Sequence, residues 1–284
     1  MSGADDGFQQ VTRKQWLARK CIGRRKHQKS ESDYLADCPE VNVDSFHLRL
    51  ERLSSEMAQS DYFIQSMNAL QLELNLMKRP LERIICLGLG PFTRTHQALH
   101  QVAFIISAQR HHNIKEALYF DPVFRDSEKV LLQRLGCTVL SEDCVGKYEA
   151  PLPTLYYLPH CPYALMHNVL WSNWSINNLS NVLLISNSFD SLVTNRIKSK
   201  QSPDDLIARI TPKCTEITLE DDYEQQNVFN DLSLHSFPHQ KLPEQTDTLF
   251  WTRGISLKLN EDEMPKELKL TNIEREMGAV SISS

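Results

Sequence analysis

Apolar residues recur at every third or fourth position from Phe46 through Leu50, Leu53, Met57, Ile64, Met67, Leu70, Leu74 and Met77. Side chains at that spacing share one face of a helix, which predicts helix over 44–78. Asp44 or Ser45 is placed to cap it and Ser60-Asp61 to split it in two. Pro80 ends it, because proline cannot continue the hydrogen-bond ladder. Such a stripe packs on its own domain more often than on a coiled-coil partner.

Beyond residue 81 short apolar runs alternate with amphipathic segments. Strand 82–87 leads into "GLGPF" and a helix over about 93–111. Then come strand "EALYFDP", helix "RDSEKVLLQRLG", strand "CTVLSED", strand "TLYYLPH", helix "YALMHNVLWSNWS" and strand "NVLLISNSF". Parallel strands need crossover connections, so this alternation predicts an α/β, Rossmann-like wound sheet. Mostly parallel strands with helices on both faces are expected, preceded by a helical segment. Three late runs, "CTEITLE", "DLSLHSF" and "DTLFWTR", read as strands with little helix between them. One of them is expected to run antiparallel at an edge. The domain is thus placed at 44–254, between flexible tails at 1–43 and 255–284.

Composition narrows the class. With 284 residues and an apolar fraction of 41%, the chain can bury a full α/β core. A net charge of −5 argues against nucleic acid as a partner of the whole molecule. The exception is the basic tail 13–29, "RKQWLARKCIGRRKHQK", which suits nuclear import or RNA contact, or is simply solvated. No apolar run approaches the roughly 20 residues of a membrane helix, and the first ten residues lack a signal-like stretch. Seven scattered cysteines without a CxxC pair point to a reduced, cytoplasmic protein, with nuclear access left to the basic tail.

In a wound sheet, ligands bind beyond the carboxyl ends of the strands where strand order reverses. Gly88 and Gly90 end the first strand and so fall in that place. The turn is not a dinucleotide fingerprint, since Thr93 stands where a third glycine would, and no Gly-Lys-Ser follows. Asp121 closes the second strand and Glu142 with Asp143 the third. An acid at such a position can accept from ribose hydroxyls, or merely cap the next helix. Glycine turn, two acids and the Pro-rich "LPHCPY" turn have the layout of S-adenosylmethionine-dependent methyltransferases. "LPHCPY" lacks the leading Asn or Asp of the amino-methylating enzymes.

"GLGPF", "DPVF", "PHCP" and "NVLWSNW" together resemble the sensitivity-to-red-light-reduced (SRR-like) family, over roughly 44–255. The resemblance implies a regulatory role. Plant members are linked to light signalling and circadian clock input, and animal members to control of haem synthesis. No catalytic activity defines the family, so the resemblance carries over no catalytic residue.

Several residues remain candidates for chemistry. His160 has the pKa range of a general base, and Cys161 precedes a helix whose dipole favours a thiolate. A buried thiol and a hydrogen-bonded imidazole are the commoner outcome. Cys38-Pro39 and Cys161-Pro162 could present sulfur to haem iron. His96 and His100 share a helix face, but no compact ligand spacing indicates a metal. His160, Tyr163, Asn168 and Asn173 are expected to line the pocket, and Trp171 and Trp174 to pack in the core. Candidate ligands are S-adenosylmethionine or haem, and the partner is either a protein or a small molecule.

Overall fold

The computed structural model describes residues 41–195 and 204–259. The basic stretch 13–29, Cys21, Cys38 and the chain after 259 lie outside the described residues. Helix α1, Val43–Met57, begins where Asn42 Oδ1 accepts the Ser45 N–H at 2.9 Å, so Asn42 is the cap rather than Asp44 or Ser45. Ser60 separates it from α2, Asp61–Met77, accepting the Phe63 N–H at 3.2 Å. Lys78, at φ 55°, turns the chain out of α2 ahead of Pro80.

The strands β1 (Arg83–Leu87), β2 (Glu116–Phe120), β3 (Thr138–Val139), β4 (Thr154–Leu158), β5 (Val182–Asn187), β6 (Thr215–Thr218) and β7 (Leu232–Ser236) form one sheet. Its order is β3-β2-β1-β4-β5-β7-β6. The first five strands are parallel, and β7 runs antiparallel to both β5 and β6. Between them lie α3 (His96–His111), α4 (Asp126–Arg134), α5 (Tyr163–Ser172), α6 (Ile176–Leu179), α7 (Phe189–Thr194) and α8 (Leu206–Ile210), and α9 (Thr248–Trp251) follows β7.

Alternate residues of each strand feed two cores, as the two-residue period requires. Ile84, Cys86, Tyr119, Tyr157 and Leu183 face α1 to α4. Ile85, Leu87, Tyr156, Leu158 and Leu184 face α5 to α8. Parallel strands covered on both faces explain why these runs are continuously apolar.

Three expectations are corrected. The antiparallel strand is β7, second from the edge, and β6 is the edge. "DTLFWTR" contains no strand; it forms α9, capped by Asp247 Oδ1 on the Phe250 N–H at 3.0 Å. β3 ends at Val139, so Glu142 and Asp143 belong to the turn beyond it.

Candidate functional site

Strand order reverses between β1 and β4, and the turns after these strands define the candidate site. Gly88 and Gly90 take φ values of 69° and 76°, a region that favours glycine. Asp121, at the tip of β2, accepts the Gly90 N–H at 2.7 Å and the Val123 N–H at 2.9 Å. Its Oδ2 thereby ties the first turn to the second, while its Oδ1 caps its own turn. Beneath lies Glu128, which is fully buried. Its Oε1 accepts the Thr93 N–H at 2.8 Å and the Thr93 hydroxyl at 2.9 Å, and its Oε2 accepts the Arg125 N–H at 2.9 Å. Sequence reading passed over Glu128. The available signal was its place three residues into α4, where a Glu reaches back to the N-cap N–H.

The β4 turn closes on the β1 turn. Cys161 is buried, and its thiol donates to Leu87 O at 3.3 Å. A Cβ on Gly88 would lie 2.4 Å from the Cys161 sulfur. His160 has φ 53° and sets its Nε2 3.3 Å from Val228 O. Its Nδ1 is 3.4 Å from Asn187 Nδ2, which donates in turn to Asp231 Oδ2 at 3.1 Å. Gln101 Nε2 also donates to Val228 O, at 2.8 Å. The 228–231 stretch thus joins the tips of β4 and β5 and the side of α3.

Gly88, Gly90, Asp121, His160 and Cys161 therefore gather at the carboxyl ends of the strands. Tyr163 opens α5 at the same end, with its hydroxyl on the Asp205 carboxylate. Glu142 and Asp143 are exposed; Asp143 Oδ1 caps its own turn on the Val145 N–H at 2.7 Å. Asn173 follows Tyr163 by ten residues along α5, roughly 15 Å at the helical rise. It stands at the opposite end of the helix from the strand tips.

"NVLWSNW" braces the chain. Asn168 Nδ2 donates to Val145 O and Leu257 O, both at 2.8 Å, and its Oδ1 accepts the Leu257 N–H at 2.8 Å. Trp171 Nε1 donates to Gly254 O at 2.7 Å, and Arg253 lies over the Trp171 ring at 4.1 Å. Trp174 Nε1 donates to Phe250 O at 3.1 Å. Asn173 Oδ1 accepts the Ala150 N–H at 2.7 Å, and its Nδ2 donates to Tyr148 O at 2.9 Å. One helix thus holds the segment leading into β4 on one side and the 250–257 strap on the other. The strap continues past residue 254, up to Leu257.

His96 and His100 lie with ring centroids 4.3 Å apart and planes tilted by 38°. Burial lowers the His100 pKa to about 4, with His96 and Arg49 adding to the effect. His100 Nδ1 lies 2.7 Å from the Tyr223 hydroxyl. Among the described residues, no three His, Cys, Asp or Glu side chains are grouped to hold a metal. No helix among them is long and apolar enough to cross a membrane.

The SRR1 domain model matches residues 54–236. The chain belongs to the SRR1 domain family. An SRR1-like protein of Drosophila melanogaster is 58% identical over 284 residues, with 100% of each chain covered. An SRR1-like protein of Mus musculus is 42% identical over 113 residues, covering 39% of this chain and 45% of the relative. Protein SENSITIVITY TO RED LIGHT REDUCED 1 of Arabidopsis thaliana is 30% identical over 184 residues, covering 59% of this chain and 62% of its own. Among solved structures, the 23S rRNA methyltransferase ErmE aligns at a TM-score of 0.31 and 12% identity, covering 59% of this SRR1-domain chain and 67% of the enzyme.

Proposed function

We propose that this SRR1-domain chain is a non-catalytic regulator acting in circadian clock input, in control of haem biosynthesis, or in both. One observation carries the proposal. The polar groups at the switch point are engaged with one another: Asp121 with the Gly90 N–H, and Cys161 with Leu87 O against Gly88. A cofactor cradle would instead turn such groups toward an open crevice. Haem ligation by Cys161 would likewise need its sulfur to leave the β1 turn. The Arabidopsis relative's name, which speaks of red-light sensitivity, fits a signalling role.

The alternative is an S-adenosylmethionine-dependent methyltransferase. The placement of the Gly88–Gly90 turn at the switch point favours it. In that reading Gly88, Gly90, Asp121, Glu142 and Asp143 hold the cofactor, and His160, Cys161 and Tyr163 face the acceptor.

Two measurements decide between them. Depleting the protein from its own cells should change the free-running period or the haem content, and a change in neither overturns the regulatory proposal. A ligand at about 100 times its Kd stabilises the fold by about 2.7 kcal/mol, or roughly 5–10 °C in melting temperature. Millimolar S-adenosylmethionine should give no such rise. A rise of that size with methyl transfer to lysate would establish the enzyme instead.

A further inference from the structure

The sheet ends on one side at β6. The Leu219 N–H donates to Leu232 O at 2.9 Å, which marks 219 and 232 as a hydrogen-bonded pair. Bonded and non-bonded pairs alternate in an antiparallel ladder. Thr218 opposite Ser233 and Glu216 opposite His235 are therefore non-bonded pairs. The backbone N–H and C=O of Glu216 and Thr218 point away from β7, into the open edge. Among the described residues, no strand pairs with that edge.

Beside the edge, α2 and β6 enclose a cavity of about 340 Å³, with Tyr62, Gln65 and Ser66 on the helix side and Thr218 and Glu220 on the strand side. That is near the lower end of the about 300–1,000 Å³ of ligand pockets, room for one long side chain. Tyr62 is only 2% exposed, and its ring is fixed by stacking on Phe229 at 4.3 Å. Tyr62 contributes to the cavity wall, while its hydroxyl is buried beside Ser66, one turn on. The rim is acidic, with Glu220, Asp221 and Asp222 all exposed. Gln65 Nε2 donates to Asp222 Oδ2 at 2.8 Å, which holds that carboxylate at the mouth. Burial raises the Asp221 pKa, and the charge of Asp222 adds to the shift.

We propose that the open edge of β6 and the cavity beside it form a docking site for an extended, basic segment of a partner protein. The segment pairs as a further strand with Glu216 and Thr218. One of its Lys or Arg side chains enters between α2 and β6 to meet the Glu220 carboxylate. An unpaired edge supplies backbone affinity for a strand, and a pocket at alternate positions supplies selectivity. The acidic rim sets the sign of the guest.

The test uses the full chain and a fluorescein-labelled peptide of alternating arginine and threonine, with a glutamate–threonine peptide as control. Fluorescence anisotropy is read at physiological salt, where long-range attraction is screened. The arginine peptide should bind at least about tenfold tighter than the control. It should slow amide hydrogen exchange at Glu216 and Thr218. Glu220→Gln should weaken binding about fivefold or more without lowering the melting temperature. Equal binding of the two peptides overturns the proposal. So does arginine-peptide binding that leaves the Glu216 and Thr218 amides unprotected or is indifferent to Glu220→Gln, since that is adhesion elsewhere on the molecule.

Discussion

Replacing Gly88 with alanine probes the closure of the β4 turn on the β1 turn. Two costs add. Alanine at φ 69° occupies the left-handed region, at roughly 1–2 kcal/mol. Its Cβ would also stand 2.4 Å from the Cys161 sulfur and 3.7 Å from Leu165 Cδ2. Relieving the sulfur contact by moving packed groups costs about 1–3 kcal/mol. The sum, about 2–5 kcal/mol, lowers the melting temperature by roughly 4–20 °C for a domain of this size. A thermal double-mutant cycle separates the two terms. Cys161→Ala alone loses a thiol hydrogen bond, about 1 kcal/mol. With the sulfur gone, Gly88→Ala should keep only its backbone term, so the pair couples by about 1–3 kcal/mol. Simple additivity, with coupling below about 0.5 kcal/mol, would refute the packed turn.

Asn168→Ala removes three hydrogen bonds to Val145 and Leu257; about 2–3 kcal/mol of stability should be lost. Amide exchange at Leu257 should accelerate, and an unchanged Leu257 rate refutes the brace. His100 titrates near 4 when folded instead of 6.5. The unfolded chain therefore takes up the proton first, and stability present above pH 6.5 is lost as pH falls toward 4. The ceiling is about 3 kcal/mol at 1.36 kcal/mol per pH unit. In urea titrations across that window, His100→Gln should flatten the pH slope, leaving the share of His112, whose pKa burial also lowers to about 4. An unaltered slope is the contrary result. Glu128→Gln presents an amide NH₂ where the Arg125 N–H now finds an acceptor, and should cost about 1–3 kcal/mol by chemical denaturation. A change within about 0.5 kcal/mol would show that the carboxylate does not hold the turn.

The alternation of strand and helix was legible because β1, β4 and β5 are buried on both faces and each reads as one apolar run. The break at Ser60 was legible because its side chain caps the second helix. "DTLFWTR" misled because a short apolar alternation fits a strand as well as one helical turn. What decides it is Asp247 accepting the Phe250 N–H, with Trp251 Nε1 donating to Glu244 O at 2.9 Å. The position of β7 inside the sheet was hidden because order among late strands depends on which edge each one meets, not on its own sequence. At the switch point the glycines and Asp121 could be named from position. Their engagement with each other could not, since the contacts join residues 31 and 74 apart in the chain.

The "NVLWSNW" motif, one of those that carry the resemblance to the family, is instructive in its role. Asn168, Trp171, Asn173 and Trp174 all direct their polar atoms to backbone groups of neighbouring segments. Each such contact fixes a loop or the strap in place, and none faces the turns after β1 and β4. A motif of that kind transmits architecture, and chemistry has to be sought where polar atoms are left unanswered. By that criterion the β1–β4 crevice is the more closed of the two regions, because its carboxylates and thiol already have partners. The β6 edge offers outward backbone groups, a cavity beside it and an acidic rim. Binding at an open strand edge requires no reacting group at all, only complementary charge and a free ladder.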